Sequence, residues 1–82
     1  METDKKLTVY GTTWCPDCVR SKQFLNDNNI EYSWIDIEKD PDSADIVRNL
    51  NQGMQVVPTI VLPNGKVLME PSNMELKDAL EL

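Results

Sequence analysis

Thr12-Thr13-Trp14-Cys15-Pro16-Asp17-Cys18 is the stretch from which the rest of the chain can be read. Leu7 to Tyr10 runs into it with strand character and Gly11 opens a turn. A helix is then expected from residue 16 to about residue 28. A Cys-x-x-Cys at a strand-to-helix junction points to a redox dithiol. The unpaired N–H groups and the positive macrodipole end of a helix favour an anion, which suits Cys15 as an attacking thiolate. Pro16 fits the first helical turn, where its missing N–H costs nothing. Cys18 falls one turn further in, shielded yet within reach of a disulfide formed on Cys15. Zinc normally takes four Cys or His ligands, and the chain holds two cysteines and no histidine, so no metal site is expected. A structural disulfide closing so short a loop would restrain little chain entropy.

Eighty-two residues give one domain, residues 1–82, with a modest core. The start, Met1-Glu2-Thr3-Asp4-Lys5-Lys6, is polar with no apolar signal region behind it, and no run approaches the length that spans a bilayer. The expected address is cytoplasmic, without membrane attachment, where thiols stay reduced and a cysteine pair tends to be catalytic. A net charge of −6 argues against a nucleic-acid partner, because phosphate repels such a surface.

Along the first helix Cys18, Ser21, Phe24 and Leu25 share one face, with Arg20, Lys22 and Gln23 placed on the solvent side. Asn26 to Asn29 ends it. Ile30 to Ile37 reads as a second strand in which Trp34 packs on the sheet or in the core. Pro41 and Asp42 begin a second helix reaching Leu50, with Ala44, Ile46, Val47 and Leu50 as its buried side and Gly53 as a left-handed terminator. Thr59 to Leu62, the turn Pro63-Asn64-Gly65-Lys66 and Val67 to Met69 form a hairpin. Ser72 followed by Glu75 makes a capping box, so a last helix should begin at Asn73, with Leu76, Ala79 and Leu80 facing inward. The expected architecture is α/β: a four-stranded mixed sheet with three helices in the order βαβαββα, helices on both faces.

Thr13-Trp14-Cys15-Pro16-Asp17-Cys18 followed by Val57-Pro58-Thr59, on this element order, resembles the thioredoxin-like fold in its shortest form, the glutaredoxins. Trp34-Ile35-Asp36-Ile37-Glu38, Gln55-Val56-Val57-Pro58-Thr59, Pro63-Asn64-Gly65 and Glu70-Pro71-Ser72 are most similar to mycoredoxin-type proteins, which work with mycothiol in place of glutathione. The resemblance implies a cis Val57–Pro58 bond facing Cys15, so that the Val57 backbone pairs like a strand with a bound disulfide. Glutaredoxins that bind glutathione place a lysine shortly before the first cysteine and a Gly-Gly-x-Asp turn near the last helix. This chain has Gly11-Thr12-Thr13-Trp14 and Glu70-Pro71-Ser72-Asn73 instead, with Lys5, Lys6 and Arg20 as possible substitute cations. Mycothiol carries no carboxylate and needs hydroxyl-directed hydrogen bonds, for which Thr12, Gln55, Ser72 and Asn73 are candidates. Asp17 sets a carboxylate beside the reactive sulfur, an opposing effect that solvent and salt weaken if it is exposed.

The implied activity is thiol–disulfide exchange on mixed disulfides between proteins and a low-molecular-weight thiol, mycothiol favoured over glutathione, with no bound cofactor. Cys15 attacks, Cys18 or a second thiol molecule resolves, Trp14 forms an apolar lip, and Val57-Pro58 a docking strip. The expected partners are the small thiol and disulfide-containing proteins, with a flavoprotein disulfide reductase as a further candidate, and the expected state is a monomer. Three alternatives stay open: a redoxin electron donor reduced by a thioredoxin reductase, a carrier holding an iron–sulfur cluster between two chains, and a binding domain with an incidental cysteine pair.

Overall fold

In a computed structural model, residues 7–82 are described. The elements are β1 (Leu7–Gly11), α1 (Pro16–Asp27), β2 (Tyr32–Asp36), α2 (Pro41–Leu50), β3 (Thr59–Val61), β4 (Val67–Met69) and α3 (Asn73–Leu80). The sheet runs β2-β1-β3-β4, with β1 parallel to β2 and antiparallel to β3, and β3 antiparallel to β4. This is the four-stranded mixed sheet with three helices read from the sequence. Lys5 and Lys6 lie outside the described residues.

Strand alternation assigns the two layers. Leu7 and Val9 of β1 and Ile60 of β3 join Leu25 of α1, Leu76 of α3 and Leu62 in one buried cluster, with Phe24, Trp34, Leu68, Ala79 and Leu80 against it. Ile37, Ala44 and Val47, with Tyr10 and Val57, form a smaller cluster under α2 on the opposite face. The first layer is the larger apolar reservoir; each fully buried leucine there contributes roughly 1.5–3 kcal/mol.

The helix ends follow from local chemistry. Asp40 caps α2, its carboxylate accepting from the Ser43 N–H at 3.4 Å and the Ser43 hydroxyl at 2.8 Å. The capping box of α3 is present: Glu75 N–H donates to Ser72 Oγ at 3.1 Å and Ser72 N–H to Glu75 Oε1 at 2.8 Å. Gly53 takes the positive φ expected of a left-handed terminator, at 94°, and donates back to the Arg48 carbonyl; Gln52 before it is left-handed as well, at φ 57°. Two expectations are corrected. Ile46 and Leu50 are exposed, because the small second cluster covers only the Ala44–Val47 stripe of α2. Lys22 is half-buried, since the Trp34 ring rises to meet it.

Candidate active site

The chain leaves β1, at the centre of the sheet, and turns through Thr12 to Trp14 into α1. Cys15 is the N-cap of that helix, and its Sγ accepts the Cys18 N–H at 3.2 Å. A donor that would otherwise be orphaned at the helix end is therefore aimed at the sulfur. Cys15 keeps 5% of its surface open, whereas Cys18 has none, so an incoming disulfide reaches Cys15 first. The two cysteines are not joined in a disulfide. On the far side, the cis Val57–Pro58 bond sets the Val57 carbonyl 3.8 Å from Cys15 Sγ, bringing together two segments separated by 42 positions.

The second sulfur sits on bare backbone. A Cβ on Gly11 would lie 2.6 Å from Cys18 Sγ and 2.8 and 2.9 Å from Trp34 Cη2 and Cζ3, so sulfur and indole edge meet over the glycine. In the sequence Gly11 reads only as a turn residue, yet a glycine ending a strand can also mark a close approach. Burial pushes the Cys18 thiol up from its ordinary 9.0 to about 12, and proton sharing with Cys15 adds to this; the Thr12 backbone and the Lys22 charge pull the other way.

This asymmetry has a consequence for stability. Between 9.0 and about 12 the folded chain holds a proton at Cys18 that the unfolded chain has lost. The contribution is present in full below the unfolded value and disappears as pH rises toward the folded one. The reduced protein should lose stability on the order of a few kcal/mol across that window. Urea titrations at stepped pH should show the loss in the parent and a flatter alkaline limb in Cys18→Ala; equal limbs would contradict it.

Trp14 is 66% exposed beside Cys15, and its Nε1 donates to Glu38 Oε2 at 2.9 Å. Asp17 is exposed and lies 3.7 Å from Arg20, which limits its effect on the sulfur. Arg20 also donates to Asn73 Oδ1 at 2.7 Å and to the Pro71 carbonyl at 3.0 Å, joining α1 to the start of α3. Between them lies an open cleft of about 450 Å³ lined by Arg20, Glu70, Ser72, Asn73, Met74 and Glu75. Ser72 and Asn73 are thus brought together at one cleft. Thr12 is buried with its hydroxyl unpaired, and Gln55 holds Arg48 at 2.9 Å through its amide oxygen, so neither lines that cleft.

Comparison with known proteins decides the family. The glutaredoxin family model matches residues 7–68. The chain belongs to the glutaredoxin family. A Mycobacterium tuberculosis protein named as a glutaredoxin is 40% identical over 74 residues, covering 90% of this chain and 88% of its own. Mycoredoxin 1 of Corynebacterium glutamicum is 31% identical over 75 residues, covering 92% of each. The crystal structure of the thioredoxin-like protein BC3987 superposes with a TM-score of 0.79 at 30% identity, over 89% of this chain and 97% of that one. As a glutaredoxin, the chain is a thiol–disulfide oxidoreductase of thioredoxin-like fold, with a low-molecular-weight thiol as co-substrate and disulfide-bearing proteins as partners. No helix among the described residues is long and apolar enough to cross a membrane.

Proposed function

We propose that this glutaredoxin reduces mixed disulfides between proteins and mycothiol, as a cytoplasmic monomer, through Cys15 and Cys18. The observation that carries the reading is the placement of the two sulfurs. Cys15 caps α1 under an N–H donor and keeps an open edge, while Cys18 is sealed behind it. The Cys15 thiolate attacks the small thiol's sulfur in the mixed disulfide, and the protein sulfur leaves with the electron pair and takes a proton. Cys15 then carries the small thiol as a new disulfide. A second small-thiol molecule then attacks the bound small thiol's sulfur, forming the small-thiol disulfide and releasing Cys15 as thiolate; alternatively Cys18 attacks the Cys15 sulfur, the internal disulfide forms and the first small thiol departs as thiolate. The Val57 backbone forms the docking strip, and Trp14 the apolar lip.

The preference for a thiol without carboxylates rests on the cleft at the start of α3. Among the described residues Arg20 is the one cation lining it, and its guanidinium already serves Asp17, Asn73 and the Pro71 carbonyl. Glu70 and Glu75 line it as well, so an anionic peptide would meet like charge. Ser72 and Asn73 offer hydroxyl and amide groups to a pseudo-disaccharide. The likeness to mycoredoxin 1 supports the same choice. Presenting one protein disulfide capped with mycothiol and the same protein capped with glutathione tests it. Faster release of mycothiol, by about tenfold or more in kcat/KM, is expected for a contact difference of about 1.4 kcal/mol. Equal rates, or faster glutathione release, would reject the preference and leave the oxidoreductase reading intact.

The likeness to a thioredoxin-like protein supports a second reading, an electron donor reduced by a flavoprotein disulfide reductase. Turnover of the oxidised form by flavoenzyme alone, with no small thiol present, would favour it.

A further inference from the structure

Lys22 follows Cys18 by one helical turn, at the i,i+4 spacing that places two side chains on the same helix face. It does not extend into solvent. Its Nζ sits 3.8 Å from the centroid of the Trp34 ring, a cation held on an indole face. The edge of that same ring meets Cys18 Sγ over the Cα of Gly11. β1 and β2 thus press an indole between a buried sulfur and a half-buried ammonium, and that indole holds the ammonium on the sulfur's side of the helix.

We propose that Lys22, held by Trp34, is a positioning residue: the fixed positive charge that stabilises the Cys18 sulfur as it takes on negative charge in the resolving step. The proposal rests on the dithiol reading above. In that step Cys18 gives its proton to solvent and its sulfur bonds to Cys15. The bond between Cys15 and the small thiol breaks, and the small thiolate leaves with the electron pair and is protonated by water. No outside oxidant or reductant enters. Two of the influences that hold the Cys18 proton come from Cys15 itself, through proton sharing and charge. Both disappear once Cys15 is tied up in a mixed disulfide. Burial is then opposed by the Thr12 backbone and by Lys22.

The other groups near Cys18 do not supply this charge. β1 faces it with Gly11 and β2 with Trp34, neither of them titratable. Asp36, at the end of β2, accepts the Glu38 N–H. On α1, Asp17 and Arg20 pair with one another at the surface, and Arg20 also bonds to Asn73 and Pro71 at the start of α3.

The test separates the two chemical steps with an uncharged probe, bis(2-hydroxyethyl) disulfide. Reduced protein is mixed with excess probe, quenched at intervals and weighed by mass spectrometry. The Cys15 mixed disulfide and the internal Cys15–Cys18 disulfide are then counted separately. In Lys22→Met the second step should slow by roughly tenfold at neutral pH, with its pH profile displaced to the alkaline side, while the first step keeps its rate. Lys22→Arg should restore the second step, and Lys22→Gln should behave as the methionine variant does. An unchanged second step in Lys22→Met would overturn the proposal. So would equal rates in the methionine and arginine variants, or a parallel fall in both steps. If the parent protein forms no Cys15 adduct, or never closes the internal disulfide, the dithiol reading itself fails, and the two failures are told apart.

Discussion

Cys15→Ser is expected to abolish turnover of a small-thiol mixed disulfide, by roughly a thousandfold or more, because a hydroxyl at the same place is not ionised near neutrality. Nothing nearby can replace it. Cys18 is sealed from solvent and keeps its proton up to about 12, so a substrate disulfide meets no second accessible thiolate. Cys18→Ser should behave differently. Its loss removes the proposed internal resolving group but leaves the Cys15 edge, the Val57 carbonyl and the cleft in place. A second small-thiol molecule can then finish the reaction, so activity should fall by no more than about tenfold when that thiol is abundant. The measurement is release of the small thiol from a capped protein, in parent and both variants, at fixed thiol concentration. Retained activity in Cys15→Ser would invalidate the role assignment, whatever Cys18→Ser does.

Gly11→Ala should produce the largest loss from the smallest chemical change. One methyl would have to fit 2.6 Å from Cys18 Sγ and under 3 Å from two atoms of the Trp34 ring. Neither neighbour is the free end of a flexible chain. The sulfur belongs to a buried helix face, and the indole is pressed between the sheet and Lys22. Overpacking of this kind costs about 1–3 kcal/mol, and sometimes more, when a core must shift. A lower urea midpoint with an unchanged denaturant slope should report it. The internal disulfide should also form more slowly, since the displaced atom is the Cys18 sulfur proposed to close it. A midpoint equal to the parent's would show that the pocket over Gly11 relaxes freely.

Much of this site is legible in the sequence alone. The Cys15-to-Cys18 spacing after a short strand, Pro16 in the first turn and the Ser72–Glu75 box are local signals, and local signals survive folding. The pairing of Cys15 with Val57 is not local. It became legible through family likeness alone, because 42 positions separate the two residues. What periodicity misplaced depends on a partner in another element. Lys22 looks solvent-facing on its own helix until Trp34 of β2 reaches it. Ile46 and Leu50 look buried until the face that receives α2 is seen to offer only Ile37, Tyr10 and Val57. Gly11 looks like the opening of a turn, while the reason for its missing side chain lies on α1 and β2.

The Arg20 clamp makes the cleft and the reactive sulfur mechanically dependent on one another. One guanidinium grips Asn73 and the Pro71 carbonyl from the helix that begins just after Cys15, so the mouth of the cleft and the seat of the nucleophile are two ends of one lever. A ligand that draws Asn73 toward itself must compete with a charge-assisted bond of roughly 1.5–3 kcal/mol, and in winning it slackens the hold on α1. A ligand in this cleft should therefore be felt at the sulfur without any contact between the two.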